Sequence, residues 1–102
     1  MRDRFKNIID SGKPVLVDFY ADWCAPCKLM PSILKEVKGH FKDNIRILKV
    51  NVDRNPVIAS KYQVQGIPAL LIFKDGELRW KGVGVQSSKV LCSRVQDILL
   101  QV

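Results

Sequence analysis

The chain has 102 residues, of which 47% are hydrophobic and 26% charged, a composition typical of one globular domain over residues 1–102 and not of a disordered chain. Its net charge of +7 comes from seventeen Lys and Arg residues scattered along the sequence, which argues against nucleic-acid binding and favours steering of acidic protein partners. No apolar run could span a bilayer and none follows the charged first residues, so we expect a cytoplasmic protein with no membrane contact.

The first half of the chain predicts a helix, a strand, a second helix and a second strand. Apolar positions at helical spacing indicate a short helix from Phe5 to Ile9, which ends at Ser11-Gly12. The β-branched and aromatic run 15–20 indicates a strand covered on both faces. Helical periodicity then extends from Cys27 to Phe41, and 45–52 alternates as a strand. The long crossover between the two strands implies that they pair in parallel.

The second half predicts a short helix, a hairpin and a closing helix. Asn55 is a favourable N-cap for a helix over 57–62. Strands over 69–73 and 78–83 flank Asp75-Gly76, a dipeptide typical of a two-residue hairpin turn. Ser87 is the expected N-cap of the closing helix, and the apolar stripe of that helix consists of Leu91, Val95, Ile98, Leu99 and Val102. These elements predict the α/β class, with a central mixed sheet of about four strands flanked by helices on both faces.

Cys24 and Cys27 are separated by two residues and lie between a predicted buried strand and a predicted helix. This spacing allows their sulfurs to form a small-ring disulfide, and the helix N-terminus favours a thiolate at Cys24. Pro26 stiffens the loop between them. A zinc site would need two further ligands, for which the chain offers only Cys92 and His40. Redox chemistry is therefore favoured, although the pair alone leaves zinc binding, redox sensing and catalysis open.

Asp18 is unusual in its predicted strand, because an isolated carboxylate is costly to bury. An edge position that reaches water would avoid that cost, whereas a buried carboxylate with a raised pKa would suit a general base. Pro68, in Gly66-Ile67-Pro68, precedes a predicted strand and could be cis or ordinary trans. Cys92 lies beside the last helical stripe, where a free cysteine commonly packs as a small hydrophobic residue.

The segment from Val15 to Lys28 resembles the active-site segment of the thioredoxin family. The similarity continues in order and spacing through 49–53, Tyr62, 66–70 and 73–76. The resemblance covers the chain from about Phe5 to the end. It implies the thioredoxin fold and an enzyme that reduces disulfides in protein substrates and is re-reduced by a donor of the thioredoxin reductase type. No cofactor and no metal are implied, and we expect a monomer.

The resemblance also implies roles for individual residues. Cys24 would be the attacking thiolate and Cys27 the resolving thiol. Asp18 would lie beneath the disulfide and accept the Cys27 proton through water, while Lys49 on the adjacent strand tunes Asp18. Pro68 would be cis and face the cysteines, and the residue before it would offer its backbone to an extended substrate segment. The substrate-binding surface would consist of Trp23, Ala25, Pro26, Ile67, Pro68 and Gly84.

The sequence departs from the family pattern near this site. The chain starts almost directly at the first helix, so we do not expect the additional edge strand with which the family often begins. Ala25 replaces the usual glycine between the first cysteine and the proline, a change that could reshape docking or redox poise. Pro31 stands four residues after Cys27 and not five, which predicts a displaced helix bend.

Two other functions stay open at this point. A disulfide oxidase or isomerase would differ mainly in the stability of its Cys24 thiolate, although no histidine stands between the cysteines as such a function would favour. A binding or assembly module would use the apolar patch around Trp23 and Ile67 to hold a partner without turnover.

Overall fold

Helices and strands alternate along most of the chain, as the sequence patterns predict. The structure is a computed structural model that describes residues 2–101. Its elements are α1 (Arg2–Ile9), β1 (Val15–Tyr20), a 3₁₀ turn (Pro26–Leu29), α2 (Met30–Phe41), a 3₁₀ turn (Lys42–Asn44), β2 (Arg46–Asn51), α3 (Pro56–Lys61), β3 (Ala69–Lys74), β4 (Glu77–Val83) and α4 (Ser88–Leu100). Within the described residues, no helix combines the length and the apolar character needed to cross a bilayer.

The four strands form one mixed sheet in the order β2-β1-β3-β4. β2 runs parallel to β1, whereas β3 is antiparallel to both β1 and β4. The predicted mixed sheet and its parallel strand-helix-strand unit are therefore confirmed. Because β1 lies between β2 and β3 and is covered on both faces, its side chains are buried on alternate sides, which explains the continuous apolar run.

Two helices cover each face of the sheet and bury a separate apolar cluster. On one face α2 and α4 pack against the sheet, and the buried members of that cluster are Leu16, Met30, Leu34, Val37, Phe41, Ile45, Leu70, Ile72, Leu91, Val95 and Ile98. On the other face α1 and α3 pack against the sheet, and the buried members are Phe5, Ile9, Val15, Val17, Phe19, Val50, Ile58, Ala69, Leu71 and Phe73. The predicted stripe of α4 is confirmed up to Leu99, while Val102 lies outside the described residues.

Three of the predicted turn and cap residues behave as expected and one does not. Asp75 and Gly76 adopt φ of 54° and 80° in the β3-β4 turn, and Ser87 accepts a hydrogen bond from the Val90 N–H at 3.1 Å. Asn55, however, makes no side-chain cap for α3. Its side chain instead donates to the Asn51 carbonyl oxygen at 3.0 Å, because the loop before α3 folds back on the end of β2.

The predicted helix from Cys27 to Phe41 is divided near its start. Residues Pro26–Leu29 form a 3₁₀ turn and α2 begins only at Met30. Pro31 has no N–H to donate to the Cys27 carbonyl, four residues before it, and that carbonyl accepts from the Met30 N–H instead. The prediction of a bend within one continuous helix was therefore wrong: Pro31 lies in the first turn of α2, where its missing N–H costs little.

Candidate functional site

The two cysteines lie just beyond the carboxyl end of β1 and form a disulfide bond. Their Cα atoms are 5.4 Å apart, and Cys24 and Cys27 are only 3% and 5% exposed. The backbone N–H of Cys27 points at the Cys24 sulfur, with a nitrogen to sulfur distance of 3.2 Å. A hydrogen bond of this kind stabilises negative charge on Cys24 once the disulfide is reduced, which suits Cys24 to the role of attacking thiolate.

Asp18 lies in the middle of β1 and is only 1% exposed. Its Oδ1 atom has no hydrogen-bond partner among the described protein atoms. Burial raises the pKa of Asp18 to about 6, and the positive charge of Lys49 partly opposes that rise. The edge position considered for Asp18 is therefore wrong, since β1 is an internal strand. A carboxyl group with this pKa can accept and release a proton near neutrality.

A cavity of about 340 Å³ connects this carboxyl group with the second cysteine. Its lining residues are Asp18, Tyr20, Ala21, Asp22, Cys27, Lys28, Pro31 and Lys49. Lys49 is paired with Asp18 in the β1-β2 register, yet its side chain is exposed. Among the described residues, the ion pair within 4 Å is that of Lys74 with Asp75, so Lys49 forms no direct salt bridge with Asp18. The charge of Lys49 lowers the pKa of Asp18 from across the cavity. The arrangement allows proton exchange between Asp18 and Cys27.

The opposite side of the disulfide is formed by the loop before β3. The Ile67-Pro68 peptide bond is cis, and the Ile67 carbonyl oxygen lies 3.8 Å from the Cys24 sulfur. Ile67 is half-buried and packs against a small cluster that contains both cysteines. The N–H of Gly84, after β4, donates to the Pro68 carbonyl oxygen at 2.8 Å. Gly84 has a φ of +93°, a conformation that favours glycine.

The surface beside the disulfide is apolar and open. Trp23 is 72% exposed, and Ala25 and Pro26 are exposed as well. The indole N–H of Trp23 donates to Asp53 Oδ2 at 2.9 Å, which restrains the ring next to the cysteine pair. The sequence interpretation did not assign a role to Asp53. The signal was available, because Asp53 follows β2 and the carboxyl ends of parallel strands meet at one edge of the sheet.

The structure thus gathers the residues singled out in the sequence around one disulfide. Asp18 and Lys49 share the cavity behind Cys27, the Ile67 carbonyl lies on the Cys24 side, Pro68 is buried, and Trp23, Ala25 and Pro26 are exposed. Their individual roles in binding and proton transfer stay predictions. The second tryptophan, Trp80, is partly buried and packs against the cluster below α2 and α4.

Comparison with known proteins gives consistent sequence and structural matches. A sequence profile described as Thioredoxin matches residues 1–97. A thioredoxin-like protein of Synechocystis is 44% identical over 100 residues, which cover 94% of this chain and 95% of that protein. Chloroplastic thioredoxin Y1 of Arabidopsis thaliana is 42% identical over 95% of this chain, although the chain spans only 57% of its length. The solved structure of a mutant thioredoxin from Halobacterium salinarum superposes with a TM-score of 0.88 at 31% identity, covering 98% of this chain and 87% of that one.

Proposed function

The chain belongs to the thioredoxin family and is a thiol–disulfide oxidoreductase that uses Cys24 and Cys27, and we propose that it reduces disulfide bonds in protein substrates. The observation that carries this proposal is the position of the disulfide between two different environments. A buried carboxyl group lies behind Cys27, and on the other side the Ile67 carbonyl oxygen lies 3.8 Å from the Cys24 sulfur, next to the exposed Trp23.

The reaction begins with the reduced protein. The Cys24 thiolate attacks one sulfur of the substrate disulfide, which forms a mixed disulfide and releases the other substrate sulfur as a thiolate. The Cys27 thiol then transfers its proton to Asp18 and attacks the Cys24 sulfur. This second step releases the remaining substrate thiolate and leaves the Cys24–Cys27 disulfide, so that two electrons pass from the protein to the substrate. Lys49 limits how far the pKa of Asp18 rises.

Substrate binding takes place on the surface formed by Trp23, Ala25, Pro26, Ile67, Pro68 and Gly84. An extended substrate segment pairs with the backbone at Ile67, next to the attacked sulfur, while its side chains rest on exposed apolar groups such as Trp23. Recognition through backbone hydrogen bonds and a shallow surface tolerates many sequences. We therefore propose a broad range of protein substrates.

A reductase of the thioredoxin reductase type returns electrons to the Cys24–Cys27 disulfide, because the reaction leaves the protein oxidised. The chain acts as a monomer in the cytoplasm and needs no cofactor of its own. Its net charge of +7 assists encounters with acidic proteins.

The proposed function is tested by substituting each of the two cysteines in turn. We expect Cys27→Ser to accumulate mixed disulfides with protein substrates through Cys24, and Cys24→Ser to lose catalytic disulfide reduction. Disulfide reduction that persisted in Cys24→Ser would disprove the mechanism. The equilibrium of the dithiol with glutathione is the second test, since an oxidising potential would support an oxidase or isomerase and contradict a reductase.

A further inference from the structure

Gln86, in the loop between β4 and α4, makes contacts that the proposed chemistry does not use. Its side-chain Nε2 donates to the carbonyl oxygens of Val83 and Gly84, at 3.3 Å in both cases. These carbonyls belong to two consecutive peptide units at the edge of the proposed substrate-binding surface, which includes Gly84. Gln86 therefore bridges the turn at Val83-Gly84 from one side.

The Gln86 side chain packs over Gly82. A Cβ atom on Gly82 would lie 2.5 Å from Trp80 Cη2 and 3.0 Å from Gln86 Cδ. The Trp80 ring and the Gln86 amide thus occupy the space in which any other side chain at position 82 would begin. Trp80 is held in turn by the cluster below α2 and α4, and the Arg94 guanidinium lies 6.0 Å from its ring centre. Gln86 consequently rests on a well-packed part of the fold.

The turn that Gln86 holds is also connected with the cysteine pair. The Gly84 N–H donates to the Pro68 carbonyl oxygen at 2.8 Å, and the neighbouring Ile67 carbonyl oxygen lies 3.8 Å from the Cys24 sulfur. A backbone hydrogen bond therefore links the turn at Val83-Gly84 with the Ile67-Pro68 segment, on which an extended substrate would pair. A displacement of the turn changes the position of that segment without touching either sulfur.

We propose that Gln86 is a positioning residue for protein substrates, which holds the Val83-Gly84 turn in place beside Ile67. The inference rests on the proposed function, because it concerns substrates large enough to contact this turn. A turn that is fixed before binding lowers the loss of conformational entropy on binding of each substrate. Gln86 contacts no reacting atom, so it acts on the binding of substrate and not on the exchange of sulfurs.

The test uses Gln86→Glu and Gln86→Met in the full chain. Both side chains approach the length of glutamine, but neither an ionised carboxylate nor a thioether can donate to the two carbonyls. Since a hydrogen bond of this kind contributes about 0.5–1.5 kcal/mol, we expect a rise of about 2- to 10-fold in the half-saturating concentration of a disulfide-bonded protein substrate. The maximal single-turnover rate, the rate with 2-hydroxyethyl disulfide and the equilibrium with glutathione should not change.

The matched control is Gln96→Glu, which adds the same charge at an exposed position of α4 and should leave every measurement unchanged. Equal half-saturating concentrations in the wild type and both Gln86 variants would overturn the positioning role. A parallel loss of rate with 2-hydroxyethyl disulfide would overturn it as well, since it would indicate a general structural defect. If the unmodified chain fails to reduce any protein disulfide, the proposed function fails first and the positioning role fails with it.

Discussion

Asp18 and Lys49 are partners in the parallel register of β1 and β2, and both line the cavity behind Cys27. The pair differs from an ordinary salt bridge, because Asp18 is buried and Lys49 is exposed. Desolvation dominates over the attraction of Lys49, and the pKa of Asp18 rises to about 6. This balance sets the pH range over which Asp18 changes its protonation state.

Stability should depend on pH through Asp18. Its pKa is about 6 in the folded protein and 3.8 in the unfolded chain, so the folded state binds the proton more tightly. The free energy of unfolding should therefore fall as the pH rises from about 4 to above 6, by up to about 3 kcal/mol from this residue. Asp18→Asn removes that dependence, so the variant should gain stability relative to the wild type between pH 4 and pH 8 in urea unfolding. Asp97→Asn, at an exposed position of α4, is the control, and a stability difference for Asp18→Asn that did not vary with pH would contradict the expectation.

Asp18→Asn should also slow the second chemical step. An amide cannot accept the Cys27 proton, and a positioned general base contributes about 100-fold or more to such a transfer. We expect the mixed disulfide to resolve at least about 10-fold more slowly at pH 7, while the attack by Cys24 keeps its rate. Stopped-flow measurement of the release of the second substrate thiol tests this. Equal resolution rates in variant and wild type would remove Asp18 from the mechanism.

Lys49→Gln should raise the pH at which the Asp18 carboxyl group titrates. The positive charge of Lys49 lowers the pKa of Asp18, so its removal should raise that pKa above about 6. The carboxyl titration of Asp18, followed by carbon NMR, would measure the shift directly. Lys89→Gln makes the same change at an exposed position of α4 and should leave the titration in place. An unchanged Asp18 titration in Lys49→Gln would show that the two groups are not coupled.

Gly82→Ala should destabilise the fold because its new Cβ would lie 2.5 Å from the Trp80 ring. Overpacking of this kind costs about 1–3 kcal/mol. In a Trp80→Ala background the same change should cost at least about 1 kcal/mol less, as a double-mutant cycle in urea would detect. Gly39→Ala, in α2 with no atom beyond the adjacent helix backbone within 4 Å of the added Cβ, should instead stabilise by about 0.5–1 kcal/mol. Additive effects of the Gly82 and Trp80 substitutions would contradict the contact.

Cys92 should react slowly with alkylating reagents. Among the described residues it is the free cysteine, and it is half-buried. Burial and the nearby charge of Glu36 raise the pKa of its thiol, so less thiolate is present at a given pH. We expect iodoacetamide to alkylate the oxidised, folded protein at least about twofold more slowly at pH 8 than the unfolded protein. Cys92→Ser should take up no label, and equal rates for folded and unfolded protein would refute the expectation.

Local patterns were sufficient for most of the fold. The apolar run of β1 indicated a strand buried on both faces, and Asp75-Gly76 and Ser87 marked a turn and a helix start that the structure confirms. Each of these signals depends on residues close together in the sequence. Pro31 shows where such reasoning failed, since the choice between a bend and a new helix start depended on which carbonyl accepted the Met30 N–H.

The sequence predicted those parts of the candidate site in which a residue type by itself indicates the chemistry. The cysteine spacing and the cost of burying Asp18 are both visible in the sequence. The position of Asp53 after β2 indicated that it lies near the cysteine pair, but not its hydrogen bond with Trp23. The contacts of Gln86 with Val83 and Gly84 had no such signal, because they depend on backbone placement. Aspartate and glutamine are common at protein surfaces, so neither residue type signals a positioning role by itself.

Because β1 lies inside the sheet, different strands flank the disulfide at its carboxyl end on either side. β2 lies on one side of β1 and contributes Lys49 to the cavity that contains Asp18. β3 lies on the other side and follows the Ile67-Pro68 loop beside Cys24. The residues proposed to bind substrate do not line the cavity, so a protein bound to them would cover the Cys24 side and leave the Asp18 side uncovered. Under the proposed mechanism, protons would then leave during turnover without dissociation of the substrate.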